Sequence, residues 1–245
     1  MKKLAALLMA AVVTFSLSTS AFASSVVSNG KIVCIDPGHQ AKANTAQEPI
    51  APGSSITKAK VAAGTHGAWS GLTEAQLNLQ VSLKLQSILT ARGYTVIMTR
   101  TTNDVNISNV ERAQIANNAK ADAFIRVHAN GINSSAVSGV LALAPSSSNA
   151  YCSNIAAASQ LLSACVVNGQ AAATGQKNKG VSQSDTMSGI NWSQVPVTIL
   201  ELGFMTNPTE DLNMANSDYQ TLMATGIANG IDQYFASLAA QTAAN

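Results

Sequence analysis

Short apolar runs rich in β-branched residues alternate along this chain with longer segments whose apolar positions recur every three to four residues. These are the periods of buried strands and of one-sided helices. The first run, residues 31–39 (K-I-V-C-I-D-P-G-H), is stopped by Pro37 and Gly38, so His39 stands at the strand's carboxyl edge. Thr73-Glu74-Ala75-Gln76 has the spacing of a capping box, so Glu74 opens a helix whose Leu77, Val81, Leu85 and Ile88 share one face and which Gly93 ends. A strand over 94–99 follows, then a second capping box at Ser108-Asn109-Val110-Glu111, whose helix ends near Lys120, then a strand ending in His128. Beyond it the pattern predicts a strand over 138–144, an alanine-rich helix over 151–173, a loop over 175–180 and a weak strand over 180–187. A loop over 188–192 leads to a strongly apolar strand over 196–201 that finishes on Glu201. Asn207-Pro208 has the form of an N-cap with proline in the first helical position. Ser217-Asp218-Tyr219-Gln220 then caps a last helix whose Leu222, Ile227, Ile231 and Tyr234 face the sheet, with 239–245 frayed. Strands alternating with helices predict an α/β fold, a single domain built on a twisted, mostly parallel sheet with helices on both faces.

Between His39 and Glu74 the periodicity disappears. The segment is rich in Gly, Ala, Ser and Pro and reads as an active-site loop without regular structure. It carries the third histidine, His66, which reads as an exposed loop or substrate-contact residue that nothing fixes in place, with exchange for one of the other ligands as the alternative.

Ligands of open α/β sheets bind beyond the carboxyl ends of the strands, where the pattern puts His39, His128 and Glu201. Each residue alone has a plain structural reading: a satisfied histidine after a strand, or, for Glu74, an acid favoured by the helix dipole. Together, two histidines and one carboxylate make a catalytic zinc set with a position left for water. The three are 35 positions (39 to 74) and 54 positions (74 to 128) apart, so only a fold brings them together. Arg112 reads as a helix-surface or structural ion-pair residue in preference to a substrate-binding one, and Arg126 as either solvated or projecting near the metal. Lys177 and Lys179 read as solvated loop residues or substrate-steering ones, and Trp192 as flanking the cleft or packing.

Four motifs carry a family resemblance: D-P-G-H at 36–39, a Glu opening the first helix, V-H-A-N at 127–130 and E-L-G-F-M-T-N at 201–207. In this order they resemble the zinc-dependent N-acetylmuramoyl-L-alanine amidases, which cut the bond between the lactyl sugar of peptidoglycan and its stem peptide. The resemblance spans about residues 31–235, with Gln40 as a departure where many members carry Gly. It implies about six strands, a Zn2+ ion held by His39, Glu74 and His128, and Glu201 as general base and acid. It also implies peptidoglycan as the partner and a monomer. Two other readings fit the same residues, a zinc peptidase acting on the stem peptide and a non-catalytic wall-binding protein. A serine hydrolase is disfavoured, because no G-x-S-x-G elbow occurs. Some such amidases are held inactive by an inserted helix whose acidic residue plugs the metal site. Residues 123–184 contain no Asp or Glu, so the 151–173 helix is expected to cover the sheet instead.

Composition changes this picture mainly at the amino terminus. Residues 1–23 combine Lys2 and Lys3, an apolar stretch and A-F-A at 21–23, the form of a secretory signal cleaved after Ala23. Residues 24–245 are then the catalytic domain, secreted to the cell wall or periplasm without stable membrane insertion. The signal holds two of the 14 basic residues and none of the 12 acidic ones, which leaves 12 of each and gives no support for nucleic-acid binding. No repeat or Pro-rich linker marks an appended module. Cys34 reads as a small buried residue. Cys152 and Cys165, 13 residues apart on a continuous helix, would be roughly 20 Å apart and beyond disulfide reach.

Overall fold

The computed structural model describes residues 27–243, so the signal segment expected over 1–23 lies outside the described residues. The elements are β1 (Ile32–Pro37), β2 (Asn44–Pro49), β3 (Thr57–Val61), α1 (Glu74–Ala91), β4 (Thr95–Met98), α2 (Asn109–Asn118) and β5 (Ala123–Asn130). They continue with β6 (Val140–Ala144), α3 (Ala156–Thr174), β7 (Asn178–Gln183), α4 (Ser188–Asn191), β8 (Val197–Phe204), α5 (Pro208–Ala215) and α6 (Ser217–Ala243). Six strands form one sheet in the order β4-β1-β5-β8-β6-β7. β4, β1, β5 and β8 are mutually parallel, and β6 and β7 run the other way.

Because successive side chains on a strand point to opposite faces, the central strands serve two cores. Val33, Ile35, Ile125, Val127, Leu200 and Leu202 pack against α1, α3 and α6. Cys34, Phe124, Val197 and Ile199 pack on the other face against Ala113 and Ala116 of α2 and Ile190 of α4. Both predicted capping boxes are present, at Thr73/Gln76 and Ser108/Glu111, and Asn207 caps α5 with Pro208 in the first turn. The 151–173 helix starts as a 3-10 turn (Ser153–Ile155) before α3 and covers the sheet as expected. All three cysteines are buried and free. Among the described residues, no helix is long and apolar enough to cross a membrane.

Several local expectations fail for identifiable reasons. The 40–72 segment is not structureless: β2 and β3 form an antiparallel ribbon outside the main sheet. Most of its residues are exposed, so it carries no core-facing alternation to read. β5 and β8 run on past His128 and Glu201 to Asn130 and Phe204, with a register shift between His128 and Asn130. β7 begins at Asn178, which puts Lys179 on an edge strand rather than in a loop, and the loop expected over 188–192 contains the short α4. α6 is capped by Asn216, whose Oδ1 accepts from the backbone N–H groups of Asp218 and Tyr219, rather than by Ser217. Ile227, Ile231 and Tyr234 are buried as expected, but Leu222 is 48% exposed. It precedes the fully buried Met223 and is turned about 100° from it, off the packed face. Helix α6 also continues through Ala243, so 239–243 are helical rather than frayed.

Candidate active site and metal centre

The turn that presents His39 is held from behind by arginines. Arg100 donates from Nε to the Pro37 carbonyl (2.8 Å) and from Nη2 to the Gly38 carbonyl (3.0 Å). Arg112 donates to the carbonyls of Pro37 (2.9 Å) and His39 (3.0 Å). Within this clamp His39 takes a left-handed backbone conformation, φ 59°, which is uncommon for a residue with a side chain. Gly38 is required beside it, because a Cβ there would lie 2.3 Å from the His128 ring. Gln40 belongs to the same framework, its Oε1 accepting from the Ile107 N–H (3.0 Å) and from Arg112 (3.2 Å).

Asp36 anchors these groups. Fully buried, it accepts from Arg112 Nη1 (2.7 Å), Arg126 Nε (2.9 Å) and the Thr99 hydroxyl. Arg112 is thus a buried ion-pair residue and not a helix-surface one. Burial pushes the Asp36 carboxyl up, but Arg112 and Arg126 outweigh it and hold the group far below the usual carboxylate range. A carboxyl whose folded pKa is depressed stabilises the fold fully above its unfolded pKa, about 4, and loses that contribution as the pH falls below it. Asp36→Ala, which strands two buried guanidiniums, is expected to cost about 3–5 kcal/mol in denaturant unfolding at neutral pH. Its stability should also fall less steeply than the wild type's below pH ~4. An unchanged midpoint would show that the cluster contributes nothing.

His39, Glu74 and His128 converge, with one ligand atom from each lying within 4.8 Å of the others. Glu74 Oε1 is 3.0 Å from His39 Nε2 and 3.1 Å from His128 Nδ1. His39 Nδ1 lies 2.8 Å from the Ala62 carbonyl, just beyond β3. A proton on Nδ1 satisfies that carbonyl and leaves the Nε2 lone pair facing Glu74, the arrangement that orients a metal-binding imidazole. Glu74 reaches this position because α1 packs on the opposite face of the sheet while its first turn stands at the carboxyl edge. There its Oε2 accepts from the Thr65 N–H (2.9 Å) and its Oε1 from the Ala129 N–H (3.2 Å). Burial pushes the Glu74 carboxyl up, yet the imidazoles of His128 and His39 beside it keep it well below the usual range. His128 is pushed down to about 4, chiefly by burial, and is neutral at physiological pH. Its Nε2 is buried without a hydrogen-bond partner, a costly state for a ring nitrogen unless something binds there. Burial pushes His39 down, but the Glu74 carboxylate beside it outweighs this and raises it above the ordinary histidine value, so a bound cation would displace its proton. Two imidazoles and one ionised carboxylate form a donor set that fits a zinc ion.

Glu201 is brought beside this cluster by sheet register, since His128 on β5 pairs with Glu201 on β8 and the two side chains share a face. Burial, with the charge of Glu74 added, pushes Glu201 up to about 8. His39, His128 and Glu201 line a cavity of about 410 Å³ together with Lys58 and Val61 of the ribbon and with Met187 and Gly189. Arg126, left open between two readings, is buried and lines this cavity. Trp192 packs against the second core and is not among the residues that line the cavity, its Nε1 donating to the Pro49 carbonyl at the end of β2 (2.9 Å).

His66 is exposed and stands outside the cluster, but its loop is fixed, contrary to expectation. It bridges Thr73, and Asp211 accepts from the N–H groups of Trp69 and Ser70 (2.9 Å each). Lys177 and Lys179 do not line the catalytic cavity. Asn78, which the sequence reading passed over, donates to the Gly38 carbonyl (3.2 Å) and to Glu74 (3.4 Å). Its signal was a polar residue one turn after Glu74 on the otherwise apolar face of α1.

Residues 33–233 match the family model for N-acetylmuramoyl-L-alanine amidase. The chain therefore belongs to that family, hydrolases of the bacterial cell wall. It is 29% identical over 168 residues to the N-acetylmuramoyl-L-alanine amidase LytC of Bacillus subtilis, covering 68% of this chain and 32% of LytC. It is 28% identical over 166 residues to the B. subtilis protein YqiI, covering 68% of this chain and 76% of that one. Among solved structures, the N-acetylmuramoyl-L-alanine amidase of Clostridium difficile 630 superposes with a TM-score of 0.70 at 27% identity, covering 86% of this chain and 99% of that one. The chain thus spans about a third of LytC, and a larger share of the other two.

Proposed function

We propose that this chain is a zinc-dependent amidase that hydrolyses the amide between N-acetylmuramic acid and L-alanine in peptidoglycan. The observation that carries the reading is the His39–Glu74–His128 cluster with Glu201 one strand away at the mouth of a cavity. When bound by the three ligands, zinc supplies Lewis acidity toward the amide carbonyl and lowers the pKa of water beside it. Glu201 takes the proton of the attacking water and returns it to the departing alanine amine. Burial raises the Glu201 carboxyl above the usual range, which makes its ionised form a stronger proton acceptor, and a cation held at the neighbouring cluster favours that ionised form. The ribbon and the 187–189 segment, which both contribute to the cavity lining, would hold the scissile bond.

Residues 1–23 act in this reading as an export signal, and the remainder works as a monomer outside the membrane. The test is mass spectrometry of peptidoglycan digested by residues 24–245 with zinc and no partner protein. New L-alanine amino termini are expected. Cuts within the stem that leave the lactyl amide intact would identify a peptidase, and binding without products a wall-binding protein. Activity only after a partner protein is added would reveal an inhibitory element, for which residues 123–184 offer no carboxylate.

A further inference from the structure

Behind the catalytic cavity the charges do not balance. Arg100, Arg112 and Arg126 are all buried around a single carboxylate, Asp36. Arg100 and Arg112 spend their remaining donors on backbone carbonyls and on Asn103 and Gln40. Arg126 donates from Nε to Asp36 and from Nη2 to Asn109 Oδ1 (2.7 Å), while Nη1 has no hydrogen-bond partner among the described residues. That guanidinium lines the cavity. Gly189 packs against it and leaves it room, because a Cβ at 189 would lie 1.8 Å from Nη1. Lys58 of β3 lines the same cavity, exposed and without an ion pair among the described residues. The wall around them is apolar, formed by Val61, Leu143, Met187 and Ile199. An excess of positive charge facing a low-dielectric pocket selects an anion.

The position of the anion follows from register. Arg126 pairs with Ile199, and His128 with Glu201, so the arginine lies two residues deeper along the strands than the catalytic rung. At about 3.3 Å per residue that is roughly 7 Å. A peptide extended from the scissile amide covers the same distance in about two residues. A γ-linked glutamate following the alanine keeps its α-carboxyl free there, whereas an amidated one presents a neutral group.

We propose that Arg126, with Lys58 lining the same cavity, binds the free carboxylate of the stem-peptide residue that follows L-alanine and so selects unamidated stems. The inference rests on the amidase reading for the orientation of the substrate, but its test does not need turnover. Binding of N-acetylmuramoyl-L-alanyl-γ-D-glutamyl-L-lysine and of its D-isoglutamine counterpart is measured by calorimetry on the zinc-loaded full chain carrying Glu201→Gln. The carboxylate form is expected to bind at least about tenfold tighter, the usual worth of a charge-assisted hydrogen bond. Adding Lys58→Gln should shrink the ratio, and adding Arg126→Met should bring it close to one. Because Arg126→Met also disturbs Asp36, the exposed Lys58→Gln keeps the test independent of folding. Equal binding of the two ligands, no binding of either, or a ratio unchanged in both variants overturns the inference. Failure of the wild-type chain to hydrolyse either ligand would instead count against the amidase reading, whatever the binding ratio.

Discussion

Glu201→Gln is expected to lower peptidoglycan turnover by at least ~10²-fold while the chain still takes up one zinc. Glutamine keeps the size and much of the polarity of the side chain but cannot accept and return a proton. Glu201 ligates nothing in the His39–Glu74–His128 cluster, so metal uptake should be unaffected. Its position on β8 beside His128 is set by sheet pairing, which the substitution leaves alone. Rates with defined muropeptides, together with metal content after dialysis, separate the two effects. Near wild-type turnover in a metal-replete variant would falsify the assignment.

The second large effect concerns the ligands. Dialysed His39→Ala, Glu74→Ala and His128→Ala variants should each retain less than a tenth of the wild-type zinc, whereas His66→Ala should retain all of it. Each of the first three removes one donor from a set that has three. Glu74→Ala also releases the Thr65 and Ala129 N–H groups and parts the two histidines, so its loss should be at least as severe. His66 is exposed and contributes only its backbone to the bridge with Thr73. A His66→Ala chain emptied of metal would mean that the cluster is not the centre it resembles.

The parts of the site carried by regular elements were legible because local rules govern them. Thr73 and Gln76 mark the start of α1 whatever the rest of the chain does, and that start places Glu74. The apolar runs before His39, His128 and Glu201 likewise mark strands that converge on one edge of a parallel sheet. What periodicity could not show was set by long-range partners. The β2–β3 ribbon is polar and exposed, and Trp192 ties its end to the end of α4. Arg112 looks like a surface residue on α2 until Asp36, 76 positions away, is placed beneath it. Arg126 was undecidable for the same reason, since its burial depends on partners from β1 and α2.

The arginine clamp around residues 37–39 also sets the order in which the centre is built. Small zinc domains acquire their fold from the ion, because their ligands are otherwise held by nothing. Here the main-chain loop bearing the first ligand is locked by Arg100 and Arg112, and the carboxylate ligand is locked by the N–H groups of Thr65 and Ala129. If the proposed zinc is the resident ion, the polypeptide is expected to complete its architecture without it, so that chelation would silence the chain without dismantling it and resupply would restore it without refolding.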